Sequence, residues 1–259
     1  MEIPLTMLIY PTPATWTDLQ NTIARILREV GFATSSPKKL KLARGSVEVD
    51  VFSVDTTTEP NIIYTCEAKY WNKRVSKTVV HAFRSVVSDY GANVGLIISK
   101  KGFQRGAEGA AEHSNIRLMT FEEFEKLFLD RWLIRQSATT YAVADRFIAL
   151  TDYLSSPKEW DTWPQTIQQA FIRLNRLYAV TSSEVLSLQY QPRYAKHLTF
   201  PLDRPIIKSL TWDYSRATAF AGPNAKVRRL ANYGEYFKYL KSNINEGLRA
   251  FKQLGLKIK

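Results

Sequence analysis

Between Ile62 and Lys69 the chain alternates with a period of two. Ile62, Tyr64, Cys66 and Ala68 fall in one register, and Ile63, Thr65, Glu67 and Lys69 in the other. A strand sends successive side chains to opposite faces, so this stretch predicts one. Two more strands are predicted upstream, over about 39–43 and 47–54, turning near Arg44-Gly45-Ser46. Val94–Ser99 is short and apolar throughout, as in a strand covered on both sides, and Ile116–Met119 is a further short strand. Helical spacing separates these segments. Leu19, Ile23, Ile26, Leu27 and Val30 form an apolar stripe that opens at Thr17-Asp18 and closes at Gly31. Ser76 starts a helix to about Tyr90, with Val79, Val80, Phe83, Val86 and Val87 inward and Gly91 at its end. Gln104–His113 reads as a helix of small residues, and Thr120 with Glu122 and Glu123 starts another reaching about Arg135. The predicted order, α-β-β-β-α-β-α-β-α, is an α/β fold: a mixed sheet flanked by helices, complete by about residue 136.

The remainder, 137–259, is predicted to be mainly helical. Ala142–Leu154, Pro164–Val180 and Leu230–Leu254 carry apolar residues at helical intervals. In the last of these, Leu230, Phe237, Leu240, Ile244, Leu248 and Phe251 make the apolar stripe. Between the last two lies an irregular stretch, roughly 187–225, rich in Pro, Tyr and basic residues. Two domains are therefore expected, 1–136 and 137–259.

Composition narrows the setting. A hydrophobic content of 45% with 11 Gly and 11 Pro is that of a folded chain. The single cysteine, Cys66, excludes an internal disulfide and a thiolate metal cage, and suits a reducing cytoplasm. No apolar run approaches the roughly 20 residues of a membrane span. The first residues, MEIPLTMLIYPTP, make a poor signal peptide. A cytoplasmic protein without a membrane partner is expected.

Net charge is +12, and most of it is at one end. Residues 1–136 hold 18 Lys or Arg against 15 Asp or Glu, 137–203 hold 6 against 6, and 204–259 hold 12 against 3. A concentrated positive field of this kind suits nucleic-acid phosphates. A solvated basic helix, or a surface for an acidic protein, would look the same.

The candidate chemistry lies on the strands. Glu48 and Asp50 share one strand face, and Glu67, seventeen residues after Asp50, shares a face with Lys69. If the two strands pair, carboxylates and an ammonium converge on one patch. Two carboxylates are a usual protein contribution to a magnesium site, with water and substrate oxygens completing it. A lysine beside them can orient water or neutralise charge on a phosphate. The three histidines, His81, His113 and His197, have no metal-ligand spacing, which argues against a histidine-metal nuclease.

Residues 17–130 resemble the Mrr-like branch of the PD-(D/E)xK restriction-endonuclease superfamily. The resemblance rests on the first helix ending in Gly31-Phe32, then RGSVEVDVF (44–52) and IIYTCEAKYW (62–71). It continues through VVSDYGANVGLIIS (86–99), KGFQRGAEGAAEHSNIRLMT (101–120) and FEEF (121–124). It implies that Asp50 and Glu67 are metal-binding carboxylates, that the Ala68 carbonyl is a further ligand, and that Lys69 is the catalytic lysine. It also implies Mg²⁺, with Mn²⁺ substituting, and DNA as substrate. Members often carry a glutamate near the position of Gln20; here the amide adds no charge, and Glu48 is a candidate to compensate.

Other positions are weighed on their residue types. Lys73, Arg74 and Lys77 follow the ExK strand, and Lys100, Lys101, Gln104 and Arg105 lie between a strand and a helix; both groups are candidate DNA contacts. Arg228, Arg229, Lys238, Lys241, Arg249 and Lys252 are candidates for a phosphate-tracking surface. Tyr236 and Tyr239 lie off the apolar stripe and are open to base stacking. The expected function is a DNA endonuclease of prokaryotic restriction or antiviral defence, acting as a homodimer. The alternative is a DNA-binding or scaffold subunit of a larger defence complex, with cleavage gated or absent and a protein partner in control.

Overall fold

The computed structural model describes residues 9–42, 45–152, 157–191, 193–205, 210–213, 218–221 and 227–254. The turn residue Arg44, the first eight residues and the helix end expected at Leu154 lie outside them. The chain divides into two compact units, 1–135 and 136–259.

In the first unit, helix α1 (Trp16–Glu29) begins one residue earlier than its sequence signal. Its cap is Thr15, whose hydroxyl accepts the Asp18 N–H. Leu19, Ile23, Ile26 and Leu27 are its buried face. Strands β1 (Ala33–Ser35), β2 (Lys38–Leu42), β3 (Gly45–Val49), β4 (Val51–Asp55) and β5 (Ile62–Lys69) follow. Then come α2 (Lys77–Tyr90), β6 (Val94–Ser99), α3 (Arg105–Ala111), β7 (Ile116–Thr120) and α4 (Phe121–Thr151). The central sheet has the order β1-β4-β5-β6-β7. β1, β4 and β5 pair antiparallel, while β5, β6 and β7 pair parallel. The expected mixed α/β sheet is present.

Two expectations about strands are corrected. The single strand expected over 47–54 is two, β3 and β4, broken at Asp50. β3 pairs with β2 in a separate hairpin. The Asp50 carbonyl is drawn out of any ladder by the Gln20 side-chain amide at 3.0 Å and the Ser36 hydroxyl at 2.8 Å. The three-residue edge strand β1 was not expected, and its length is too short for a period-two signal.

The sheet is covered on both faces. On one side Val80, Phe83 and Val87 of α2 and Ala107 of α3 pack with Ile97 and Ile116. Gly95 permits this approach: a Cβ there would stand 2.5 Å from Ile116 Cδ1 and 2.7 Å from Val87 Cγ2. On the other side the Phe32 ring stacks on Tyr64 with centroids 5.3 Å apart and meets Phe128 of α4 edge-on. Helix α4 starts with a reciprocal cap. The Thr120 hydroxyl accepts the Glu123 N–H, and the Glu123 carboxylate accepts the Thr120 N–H at 2.7 Å.

Helix α4 is one helix where two, to about Arg135 and from Ala142, were expected. The polar run between them is accommodated inside it: Ser137 and Thr140 are buried. In the second unit, the end of α4 packs with α5 (Gln165–Tyr190) and α6 (Tyr233–Gln253). Phe147, Phe171, Tyr178, Val185, Ile244 and Phe251 form the core. The stretch read as irregular contains short strands: β8 (Leu202–Pro205) pairs with β11 (Val227–Leu230), and β9 (Leu210–Asp213) with β10 (Thr218–Ala221). β11 also takes Leu230, the first residue of the helix expected there, and α6 starts at Tyr233.

Candidate active site

Strand pairing sets the geometry. Val51 pairs with Cys66 in the antiparallel β4–β5 ladder, so Asp50 and Glu67 come next in register, where β4 begins. The Ala68 N–H donates to Asp50 Oδ2 at 2.7 Å. Lys69, two residues beyond Glu67 on the same strand face, places its ammonium on Glu67 Oε1. Asp50, Glu67 and Lys69 are all half-buried. The three residues singled out in the sequence are thus brought together where β4 begins and β5 ends, in the middle of the sheet.

The electrostatics follow from that crowding. Burial pushes the Asp50 carboxyl up to about 6, and the Glu67 charge adds to the rise. The Ala68 N–H and the Lys69 ammonium pull it down by less. Two carboxylates therefore compete for one place, and a cation between them would relieve the repulsion. Among the described residues, no protein donor engages Asp50 Oδ1 or Glu67 Oε2. No cluster of three or more His, Cys, Asp or Glu side chains suited to a metal occurs among the described residues. Two carboxylates and a carbonyl nevertheless fit a Mg²⁺-type ion, which keeps several waters.

Gln20 is buried, and its amide goes to the Asp50 carbonyl. It holds the backbone that carries the carboxylate. Glu48 is exposed on β3, paired in register with Lys39. The Ala68 carbonyl accepts the Trp16 indole N–H at 3.2 Å, which uses one of its two lone pairs.

Residues 13–128 match a family model for the Mrr catalytic domain, described as a restriction endonuclease. Over this segment the chain is similar to Mrr-type restriction-endonuclease domains. Two solved structures are also similar to the chain. One is a protein of unknown function, AF1548, at 16% identity and a TM-score of 0.38, over 70% of this chain and 92% of that one. The other is the DNA modification-dependent restriction endonuclease AspBHI, at 14% identity and a TM-score of 0.23, over 48% of this chain and 38% of that one. No curated protein matches the sequence.

Within this matched segment the two basic stretches are joined. The Val75 N–H donates to the Gly102 carbonyl and the Gln104 N–H to the Val75 carbonyl, each at 3.0 Å. Lys73, Arg74, Lys77, Lys100, Lys101, Gln104 and Arg105 are exposed around this junction. The Lys100 backbone N–H donates to the Lys69 carbonyl at 3.0 Å, which ties the junction to the ExK strand. The Lys100 ammonium lies 4.0 Å from the Tyr70 ring centre and 3.2 Å from Asn72 Oδ1. Helix α3 has only seven residues, so side chains rather than a helix terminus carry any phosphate contact here. A cavity of about 420 Å³ opens at the carboxyl ends of the parallel strands, lined by Tyr70, Ser99 and Lys100 among others.

In the second unit, Lys238, Lys241, Arg249 and Lys252 fall on one face of α6, by their spacing of three, eight and three residues. Lys238, Arg249 and Lys252 are exposed, and Arg228 and Arg229 are exposed on β11. Lys241 is half-buried and donates to Gln136 Oε1 at 2.9 Å. Tyr236 and Tyr239, read as open to bases, are buried and take no part in such a surface. They lie near the half-buried Glu184–Arg204 ion pair, and burial raises both phenols. His81 is exposed on α2, and Cys66 is buried.

The sequence reading passed over two tryptophans. Trp71 is 38% exposed and its ring centre lies 5.0 Å from the Lys69 ammonium. Trp16 is 46% exposed and bonds to Ala68. The available signal was the period of two, which carries Trp71 onto the same side as Glu67 and Lys69.

Proposed function

We propose that this chain is a Mg²⁺-dependent DNA endonuclease of a restriction or antiviral defence system, with Mn²⁺ able to substitute. Its restriction-endonuclease domain cuts, and the basic helical unit binds DNA. The observation that carries this reading is the meeting of Asp50, Glu67 and Lys69 at the adjoining ends of β4 and β5, where burial and the Glu67 charge raise Asp50.

In this reading Asp50, Glu67 and the Ala68 carbonyl hold the ion. When bound, such an ion polarises a phosphoryl oxygen and lowers the pKa of a bound water. Lys69, paired with Glu67, stands where it can orient the attacking water or neutralise phosphate charge. Gln20 and Ser36 fix the backbone of Asp50. The exposed side chains of Lys73, Arg74, Lys77, Lys100, Lys101 and Arg105 hold the DNA backbone beside the cut. A homodimer supplies the second site for the second strand of a duplex.

One feature favours a second reading, in which cleavage is gated inside a larger complex. The Lys69 ammonium is engaged by Glu67 Oε1, which leaves Glu67 Oε2 to an ion but draws the ammonium toward the carboxylate and away from an incoming phosphate. A partner protein could control that pairing.

Supercoiled-plasmid cleavage by the purified protein, with Mg²⁺ against EDTA and wild type against Lys69→Ala, tests the proposal. Metal-dependent nicking that the substitution abolishes is expected. Salt-sensitive binding without cleavage would favour the gated reading.

A further inference from the structure

Large apolar side chains exposed at a polar site are the informative exceptions on a protein surface. The face that carries Glu67 and Lys69 holds one. Trp71 is 38% exposed, and its ring centre is 5.0 Å from the Lys69 ammonium and 5.8 Å from that of Lys73. A second exposed indole, Trp16, is bonded to the Ala68 carbonyl. Two solvent-facing tryptophans are therefore attached within three residues of the strand end that bears the ExK triplet.

A cation–π contact alone accounts poorly for this arrangement. Lys69 already has a carboxylate partner in Glu67, and an aromatic needed only as a buttress would bury more of its ring. An indole with ammonium groups beside it is the arrangement that binds a single strand: a ring face for a base, with cations for the phosphates around it. In a paired duplex the base faces are covered by their neighbours, and only edges are offered in the grooves. A ring this close to the phosphate-handling lysine meets a base face only where a base has left the stack.

We propose that Trp71 is a stacking platform for an unstacked base beside the scissile phosphate, so that the favoured substrate is DNA with single-stranded or flap character at the cut. This deepens the nuclease reading above and rests on it.

The test uses the full chain in EDTA, where no cleavage interferes. Its probes are a single strand, a flap and a blunt duplex of equal length, each carrying 2-aminopurine. Wild type is expected to bind the single strand and flap about tenfold more tightly than the duplex, and to quench the label on stacking. Trp71→Ala is expected to collapse that ratio and the quenching. Trp71→Phe, which keeps a ring face, is expected to retain most of both. Equal weakening on all three probes by Trp71→Ala, or no change on any, would overturn the proposal. A parallel Mg²⁺ cleavage assay on the same probes separates it from the nuclease reading. Trp71-dependent quenching with no cleavage keeps the platform and moves the nuclease reading to the gated one. Cleavage lost in Lys69→Ala, with no Trp71-dependent preference in binding, keeps the nuclease reading and sinks the platform.

Discussion

The Ala68 N–H donates to Asp50 Oδ2 at 2.7 Å, fastening the first carboxylate to the strand that bears the second. The other end of Asp50 is held as well, because its carbonyl accepts from Gln20 and Ser36. Three bonds, from α1, from β5 and from the bend after β1, therefore fix one residue at the break between β3 and β4. A residue so held is pre-organised, and chemistry that depends on sub-ångström placement needs such support.

Substitutions that keep this scaffold while removing charge separate position from chemistry. Asp50→Asn still offers an oxygen to the Ala68 N–H, and Glu67→Gln still offers one to Lys69. Each, like Lys69→Ala, is expected to lower plasmid cleavage by about 10²–10⁴-fold with the melting temperature little changed. The double variant Asp50→Asn/Lys69→Ala is expected to be scarcely worse than either single one, since the groups act as a unit. Independent, multiplying losses would show that the three do not form one site.

Binding of the divalent ion should depend on pH in a defined direction. Without an ion the Asp50 carboxyl stands at about 6, above the ordinary carboxylate range, through burial and the Glu67 charge. Below that pH a cation must displace a proton; above it, none. Mg²⁺ affinity is therefore expected to rise with pH up to about 6 and then level off. Calorimetric titrations in buffers of different ionisation heat would show proton release at pH 5.5 and none at pH 8. In Glu67→Gln the remaining titration should move to lower pH. Proton release that is the same at both values would remove Asp50 from the site.

Much of this was legible in the sequence, and the failures have physical causes. Elements with a buried stripe and a clear stop, such as α2 ending at left-handed Gly91, were placed almost to the residue. The break at Asp50 was not, because Val47, Val49 and Val51 keep the period of two straight through it. The bend comes from Gln20 and Ser36, which are remote or unmarked in a local window. Tyr236 and Tyr239 were misjudged for a related reason: these off-stripe positions on α6 are interior, near the ion pair between α5 and β8. Trp71 escaped notice because its meaning lies in exposure, which a sequence does not show.

The Asp55–Arg131 pair sets an acid limit on the first unit. Arg131 Nη1 and Nη2 reach the two Asp55 oxygens at 2.6 and 2.8 Å, and Thr57 donates to the same carboxylate. Asp55 is fully covered, and Arg131 holds its carboxyl down at about 2. Its folded value lies below the unfolded one, near 3.9. The pair's contribution is therefore complete above about pH 4 and is lost as pH falls through about 2. Arg131→Ala leaves a buried carboxylate with only the Thr57 donors and no countercharge, and is expected to cost about 3 kcal/mol at pH 7. Urea unfolding followed by circular dichroism should show that difference shrinking below pH 3. A difference that stays constant down to pH 2 would mean the pair contributes no net charge interaction.

The exposed face of α6 makes a prediction that needs no cleavage at all. Lys238, Arg249 and Lys252 stand in one row on that helix, with Arg228 and Arg229 exposed on β11. If this row follows a phosphate backbone, each side chain releases about one condensed counterion when DNA binds. Alanine at Lys238, Arg249 or Lys252 is then expected to reduce the slope of log affinity against log salt by about 0.9 each on duplex DNA, whatever its sequence. Lys241→Ala should reduce it less, because that ammonium is already engaged by Gln136. Tyr236→Phe and Tyr239→Phe, being buried, should leave the slope alone. Fluorescence anisotropy over 50 to about 200 mM salt measures all six. Slopes unchanged in the three exposed variants would take DNA off this face and leave an acidic protein surface as the partner its charge fits.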